Sequence, residues 1–240
     1  MCIRDSPGLS CSKSIEANHS LLLEPNARAD VISGNPVRED IEESVKVFGP
    51  LFLLNVVLNS KNEMVSAVAG DIFAAHRRCV KICEEISGVH VPRLADIVIA
   101  SPGGFPKDID LYQAQKALTQ AERAVKRGGV IILVARCEKG LGNTLFQEWM
   151  CAANRPEEII ERMRREGFKI GAHKAFQFAR HMMHADLIIV SDILDKILEE
   201  MHLTPATSIE EALEMAYKKV GKKAEVTVLP HASSSIVFIP

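Results

Sequence analysis

Apolar and polar residues follow two alternating patterns along the second half of the chain: short apolar runs and helical stripes. The apolar runs predict buried strands at residues 97–100, 130–135, 187–190 and 224–229. Stripes of helical spacing between them predict helices at residues 108–128, 145–153, 156–166, 174–184 and 209–220. Strands that alternate with helices of this length indicate right-handed crossovers and a parallel sheet covered on both faces.

The first half of the chain has a different pattern. Apolar runs at residues 51–58 and 64–69 flank a polar turn and predict a hairpin, and a helix is predicted after them at residues 72–86. Asn35 followed by Pro36 predicts the start of an earlier helix.

A glycine and a proline near residue 90 interrupt the pattern and mark a domain boundary. We interpret the chain as α/β, with a Rossmann-like parallel-sheet domain at 91–240 and the remnant of a preceding α/β domain at 1–90. The apolar run at 233–239 is expected to leave the parallel sheet and return to the first domain.

Residues 95–116 combine a buried strand, a glycine turn and the start of a helix. Gly103 and Gly104 end the strand, Asp108 is the predicted N-cap, and the helix is expected to stop at residues 128–129, which are both glycine. In open α/β folds, ligands bind at the carboxyl ends of the strands, where this turn lies. Two glycines after a strand are only a weak nucleotide signal, since they often serve a tight turn alone.

Gln113 and Lys116 lie one helical turn apart at the start of this helix and therefore share a face. An amide beside a fixed cation suits a carboxylate or hydroxy-acid ligand, although a solvated helix face carries the same residue types. His173 and Lys174 open a later helix after a glycine, where they either contribute to the same crevice or cap the helix. His19 stands alone, and because metal sites in proteins draw three or four ligands, the residues alone favour a structural role for it.

Composition excludes several function classes. The chain is 47% hydrophobic and 25% charged with a net charge of −2, so no basic excess indicates nucleic acid. No apolar run approaches the length of a membrane span. Six scattered cysteines without a CxxC pair favour a reducing, cytoplasmic setting.

Several stretches resemble the nickel-dependent lactate racemase family, in the same order and spacing. These stretches are residues 7–19, 34–43, 54–59, 69–76, 103–116 and 190–192. The resemblance covers almost the whole chain from Pro7 onward, which makes it more specific than any single motif.

The resemblance implies two α/β domains with the active site between them and a tethered nickel pincer nucleotide as cofactor. It also implies a racemase that acts by reversible hydride transfer at C2 of a 2-hydroxy acid, while a histidine base takes the hydroxyl proton. The expected partner is this small molecule, without nucleic acid or membrane.

The family's positions fall on particular residues of this sequence. His19 matches the nickel-ligating histidine, which reverses the structural interpretation reached from the residues alone. Gln113 and Lys116 match catalytic residues at the substrate and cofactor. The surrounding candidates for substrate or cofactor contact are Tyr112, Gly103, Gly104, His173 and Lys174. His173 stands where some members have an aromatic residue, which leaves the substrate preference open.

Other family residues are absent from this sequence. Ile3 stands where the resemblance implies the cofactor-bearing lysine, inside a hexapeptide, Met1–Ser6, that resembles translated adapter sequence. The acid/base histidines and the carboxylate-binding arginine would lie upstream. We therefore expect a carboxyl-terminal portion of a racemase that is inactive alone. The alternatives are a racemase or epimerase of a bulkier hydroxy acid or sugar acid, and a non-catalytic anion-binding α/β domain.

Overall fold

The computed structural model describes residues 10–27 and 31–239. The hexapeptide Met1–Ser6, with Ile3, lies outside the described residues. The chain divides into two compact units, one made of the residues up to Ser87 together with 166–170, and the other of 88–165 and the residues from Gly171 onward.

The first unit contains a hairpin between helices. Its elements are α1 (Ser12–Ser20), α2 (Pro36–Lys46), β1 (Phe52–Leu58), β2 (Met64–Asp71) and α3 (Ile72–Ser87). The predicted hairpin is confirmed, because β1 and β2 pair antiparallel from Phe52 opposite Asp71 onward. The predicted cap of α2 is also confirmed: the Asn35 side chain accepts hydrogen bonds from the backbone N–H groups of Val37 and Arg38.

The two faces of this hairpin differ in burial. Val57 on the inner face is 3% exposed and packs against Cys79 and Ile82 of α3. On the outer face, Phe52 is 78% exposed and Leu54 is 71% exposed. The alternation of β1 therefore buries one apolar face and leaves the other in contact with solvent.

From Gly88 onward the strands of the chain are joined mainly by helices. The elements are β3 (Gly88–His90), β4 (Ala95–Ala100), α4 (Leu111–Ala124), β5 (Val125–Val134), α5 (Thr144–Cys151), α6 (Pro156–Glu166), α7 (Ala172–His184), β6 (Asp186–Val190), α8 (Asp195–Glu200), β7 (Thr204–Ala206), α9 (Ile209–Val220), β8 (Val226–Leu229) and β9 (Ile236–Phe238). Five strands form one parallel sheet in the order β7-β6-β5-β4-β8, which confirms the α/β prediction.

Helices cover both faces of this sheet. Ala212 and Ala216 of α9 pack on the face that carries Ile97, Val130 and Ile132. The alternate residues of the same strands, such as Val98, Ile131 and Leu133, are also fully buried, and α4 and α7 lie against that side. No helix in the described ranges is long and apolar enough to cross a membrane.

The predicted end of α4 is wrong. The helix α4 ends at Ala124, and the glycines expected to end it lie inside β5. Between Ala95↔Val125 and Ile97↔Val130 the pairing register shifts, and Gly128, with φ of +78°, sits in this irregularity. A Cβ on Gly129 would come within 2.6 Å of the Asp96 carbonyl oxygen, so the strand also needs glycine for close approach.

The last apolar run forms a strand outside the parallel sheet, as expected. β9 pairs in parallel with β3, and the Gln120 side chain accepts a hydrogen bond from Val237 N at 2.9 Å. Both strands belong to the second compact unit, and β3 lies at the end of residues 1–90, the stretch predicted as the first domain.

Candidate active-site face at the carboxyl edge of the sheet

The loops that follow β4 and β5 are bonded to each other at the carboxyl edge of the sheet. Cys137 N donates to the Asp108 carbonyl at 2.8 Å, and Lys139 N donates to the Ile109 carbonyl at 2.9 Å. Leu111 N, at the start of α4, donates to the Gly140 carbonyl at 2.9 Å. The second loop therefore fixes where α4 begins.

The N-cap of α4 is Asp110, and the prediction of Asp108 is wrong. The Asp110 carboxylate accepts from Gln113 N at 2.7 Å, whereas the Asp108 carboxylate faces Arg136 N at 3.4 Å. Gly142 packs against the cap, since a Cβ there would lie 2.4 Å from Asp110 Cγ. The capping carboxylate is thus held from both sides.

Gln113 and Lys116 contact each other on the exposed side of α4. Lys116 Nζ donates to Gln113 Oε1 at 2.8 Å. An ammonium has three N–H donors, so this bond leaves two donors for a ligand. The pair can present a cation of fixed position to a carboxylate, which is the geometry that the sequence predicts for a hydroxy acid.

Tyr112 is in the first turn of α4, and its side chain contacts His173 at the start of α7. Its hydroxyl is 3.5 Å from His173 Nε2, and the two rings meet edge to face at 5.8 Å. Gly171 N donates to His173 Nδ1 at 3.2 Å, which places the proton of a neutral imidazole on Nε2. Burial, with a smaller effect of Asp110, raises the pKa of the Tyr112 phenol, so it remains a neutral donor.

Lys174 is the most buried cation near this face. It is 6% exposed, its Nζ lies 5.1 Å from the centre of the Tyr112 ring, and it donates to Gln115 Oε1 at 2.7 Å. Burial and the nearby positive charge of Lys116 lower its pKa to about 8, although Asp110 opposes the shift. We name Tyr112, Gln113, Lys116, His173 and Lys174 together the α4 face.

The low pKa of Lys174 predicts a pH-dependent stability. Between pH 7 and pH 9 the folded chain loses this proton while the unfolded chain keeps it, so the free energy of unfolding rises with pH. We expect a gain of about 1 kcal/mol relative to Lys174→Met over this range. Urea unfolding followed through Trp149, the single tryptophan, measures it. A difference between the two proteins that does not vary with pH would contradict the buried, shifted ammonium.

Gly103 and Gly104 follow β4 in a neighbouring turn and both have positive φ, +101° and +77°. A Cβ on Gly103 would lie 2.9 Å from the Nδ1 atom of His231, in the loop after β8. Lys107 Nζ donates to Ser234 Oγ at 2.5 Å in the same place. The strand order changes direction between β4 and β8, and such switch points are where open α/β sheets bind ligands.

His19 belongs to the first unit, near the end of α1. Its ring is half-buried and lies 5.2 Å from the Phe168 ring, and its Nδ1 atom is buried without a hydrogen bond of normal geometry. Burial lowers its pKa, and the carbonyl of Ile15 offsets this only in part. His19 is therefore a neutral imidazole, the form that ligates metals.

Metal ligation by the described protein groups is limited to sets of fewer than three donors. Within residues 10–27 and 31–239, no group of three or more His, Cys, Asp and Glu side chains could hold a metal ion. His19 thus fits as one ligand of a metal whose other ligands come from a bound cofactor, since the described residues alone do not complete a metal site around it.

The sequence prediction missed several polar residues of this region. His231 was missed because it lies in the loop after β8, which is distant in sequence from the loop after β4. Lys107 and Ser234, which join these two loops, are 127 residues apart, and no spacing rule relates such distant positions. Gln115 and Glu122 of α4 were missed although both stand on its apolar stripe, seven residues apart. Polar residues at stripe positions are the signal that could have identified them.

Comparisons with known proteins agree on one family. Residues 91–237 match the family described as the lactate racemase C-terminal domain. The chain is 33% identical over 237 residues to the lactate racemase of Thermoanaerobacterium thermosaccharolyticum and 34% identical over 238 residues to that of Lactiplantibacillus plantarum. Each match covers 96% of this chain but 55% and 56% of the relative, so the chain spans about half their length.

A solved structure gives the same result. The structure of the lactate racemase apoprotein from T. thermosaccharolyticum matches with a TM-score of 0.88 and 34% identity. The match covers 93% of this chain and 55% of that chain.

Proposed function

This chain belongs to the family of the lactate racemase C-terminal domain, and on that basis we propose that it is part of a racemase of small 2-hydroxy acids, with lactate as the first substrate to test. The observation that carries the proposal is the match over 96% of the chain to two proteins named lactate racemase. The α4 face supports it, because a cation and an amide in contact suit the carboxylate that every 2-hydroxy acid carries.

The proposed roles follow from the donors on this face. Lys116 pairs with the substrate carboxylate through the two N–H groups that Gln113 does not use. Gln113 fixes the ammonium and can orient the carboxylate through its own amide N–H groups. Tyr112, a neutral phenol beside His173, is a further donor at the edge of the same face. Held in this way, the substrate is oriented before reaction, which lowers the entropic part of the barrier.

A nickel pincer nucleotide is the proposed cofactor, since the resemblance implies it and His19 fits one of its ligand positions. When bound, this cofactor would supply the hydride acceptor for C2 of the substrate. The contribution of the chain itself is the imidazole of His19, which burial keeps neutral.

We propose that the 240-residue chain does not racemise lactate alone, because Ile3 stands in place of the cofactor-bearing lysine. The activity is therefore tested in a chimera. In it, residues 7–240 of this chain replace the matching part of the L. plantarum enzyme, so that Met1–Ser6, with Ile3, is not carried over. We expect the chimera, supplied with the cofactor, to interconvert L- and D-lactate, and the 240-residue chain to give no turnover.

A substrate panel on the same chimera separates the alternatives. If the chimera turns over a bulkier hydroxy acid or a sugar acid faster than lactate, that compound rather than lactate is the preferred substrate. If circular dichroism shows that the chimera is folded and it turns over no 2-hydroxy acid, the proposed racemase function is rejected. Saturable lactate binding by such an inactive chain, unaffected by nickel, would favour a non-catalytic anion-binding domain.

A further inference from the structure

Four polar side chains form an unbroken hydrogen-bonded line between α4 and α7. Lys174 Nζ is 2.7 Å from Gln115 Oε1, Gln115 Nε2 is 2.9 Å from His181 Nε2, and His181 Nδ1 contacts the Glu122 carboxylate. Lys174, Gln115 and His181 are each at most 6% exposed. We name these four residues the buried polar line.

The chemistry of the two end groups gives the line a single direction. An ammonium can only donate, so Gln115 must accept through Oε1 and turn its NH₂ group toward His181. His181 Nε2 must then accept, which leaves the proton of a neutral imidazole on Nδ1. That proton is donated to Glu122, and an ionised carboxylate can only accept.

The charge state of Glu122 agrees with this direction. Burial alone would raise the pKa of this carboxyl group, but the pKa is lowered, and the hydrogen bond from His181 is the largest of the effects that oppose burial. His184 and Arg180 also lower it. Glu122 is therefore ionised, as the accepting end of the line requires.

The other end of the line reaches the α4 face. The Lys174 ammonium lies over the Tyr112 ring, and Tyr112 in turn contacts His173. The charge of Lys116 lowers the pKa of Lys174, and the charge of Asp110 raises it. The position of this ammonium consequently affects the groups that are proposed to hold the substrate.

We propose that Glu122, His181 and Gln115 are positioning residues, which orient the Lys174 ammonium against Tyr112 and so maintain a second positive charge beside Lys116. The anion that pairs with this charge is the substrate carboxylate of the proposed function, on which this part of the proposal rests. The direction of the hydrogen bonds does not depend on that function. Without the carboxylate, the His181 proton can move to Nε2, where it needs the Gln115 oxygen as acceptor. The amide then turns its NH₂ group toward Lys174, which disfavours the ammonium.

The first test needs no substitution. Nitrogen-15 NMR of the 240-residue chain at pH 8, where an ordinary histidine is neutral, reports which ring nitrogen of His181 carries the proton. We expect a proton on Nδ1 and none on Nε2. A proton on Nε2, whether in the neutral ring or in the imidazolium, would overturn the proposal.

The second test measures the titration midpoint of Lys174 from the ¹³C shift of its Cε. In Glu122→Ala we expect the midpoint to fall by about one pH unit or more, because the Gln115 amide that accepts from the ammonium is reversed. Glu122→Gln keeps an accepting oxygen and should fall less. Glu161→Ala, an exposed glutamate of α6, is the matched control and should not shift.

A merely structural role would lower stability without moving this midpoint. A folded Glu122→Ala chain, judged by Trp149 fluorescence, with the same Lys174 midpoint as Glu161→Ala would overturn the proposal. Neither readout uses lactate, so the two proposals can fail separately. If the chimera is inactive but His181 and Lys174 give the expected NMR signals, the racemase function is rejected and the positioning role is kept.

Discussion

Replacing Gly142 with alanine is expected to lower the free energy of unfolding of the second unit by about 2 to 4 kcal/mol. Gly142 has φ of +81°, a conformation that costs an ordinary residue about 1 to 2 kcal/mol. The new Cβ would also lie 2.4 Å from Asp110 Cγ. Displacing the capping carboxylate removes a further contribution of about 1 kcal/mol, and the remaining overlap must be relieved by movement of the loop.

Gly140 offers a matched control in the same loop. Its φ is +67°, but a Cβ there would have no atom within 4 Å. Gly140→Ala should therefore lower the free energy of unfolding only by the conformational contribution of about 1 to 2 kcal/mol. Urea unfolding of both variants, followed through Trp149, measures the difference. Equal losses in the two variants would show that contact with Asp110 contributes nothing to the stability of the fold.

The Gly142→Ala change should also reach the α4 face. Asp110 caps the helix that carries Tyr112, Gln113 and Lys116, so a displaced cap shifts or frays the turn on which these side chains stand. In the chimera we expect lactate turnover to fall in Gly142→Ala by more than in Gly140→Ala.

The parallel sheet could be predicted from the sequence because its central strands are continuous apolar runs. β4, residues 130–134 of β5 and residues 187–190 of β6 are largely buried on both faces, which leaves no polar alternation and little ambiguity. The short strands β3 and β7 were not predicted, since three residues carry no recognisable period.

The cap of α4 shows where prediction from local sequence ends. Asp108 and Asp110 both precede the helix and both are good caps, so propensity cannot separate them. The choice is made by the loop at residues 137–142, whose backbone groups bond to residues 108–112. Such a long-range contact leaves no trace in local spacing.

Part of the candidate site could be predicted from the sequence, and part could not. The contact between Gln113 and Lys116 follows from one helical turn and could be predicted. The buried polar line could not, because it joins residues that lie 59 and 66 positions apart. Its residues repeat at seven-residue spacing on α4 and α7, but only the packing of the two helices shows which side chains meet.

Lys116→Ala is expected to lower kcat/KM for lactate in the chimera by about 100-fold. Lys116 supplies the accessible cation of the α4 face, and the loss of one charge-assisted contact in a site of this kind costs about 2 to 3 kcal/mol. Lys196→Ala is the matched control, because Lys196 is an exposed lysine of α8 whose side chain is 85% accessible. This control should leave kcat/KM unchanged.

The two directions of the reaction provide an internal check. L- and D-lactate have the same free energy in water, so no substitution can change the ratio of the two kcat/KM values. Lys116→Ala must therefore slow both directions by the same factor, and a one-sided loss would indicate a faulty assay.

The measurement that tests the central claim most directly is the rate of L-lactate racemisation by the chimera, compared between Lys116→Ala and Lys196→Ala. If this chain supplies the carboxylate-binding face of a 2-hydroxy-acid racemase, Lys196→Ala turns over like the parent chimera and Lys116→Ala is slower by about 100-fold. If both variants turn over lactate equally well, the α4 face does not hold the substrate, and the proposed site is wrong.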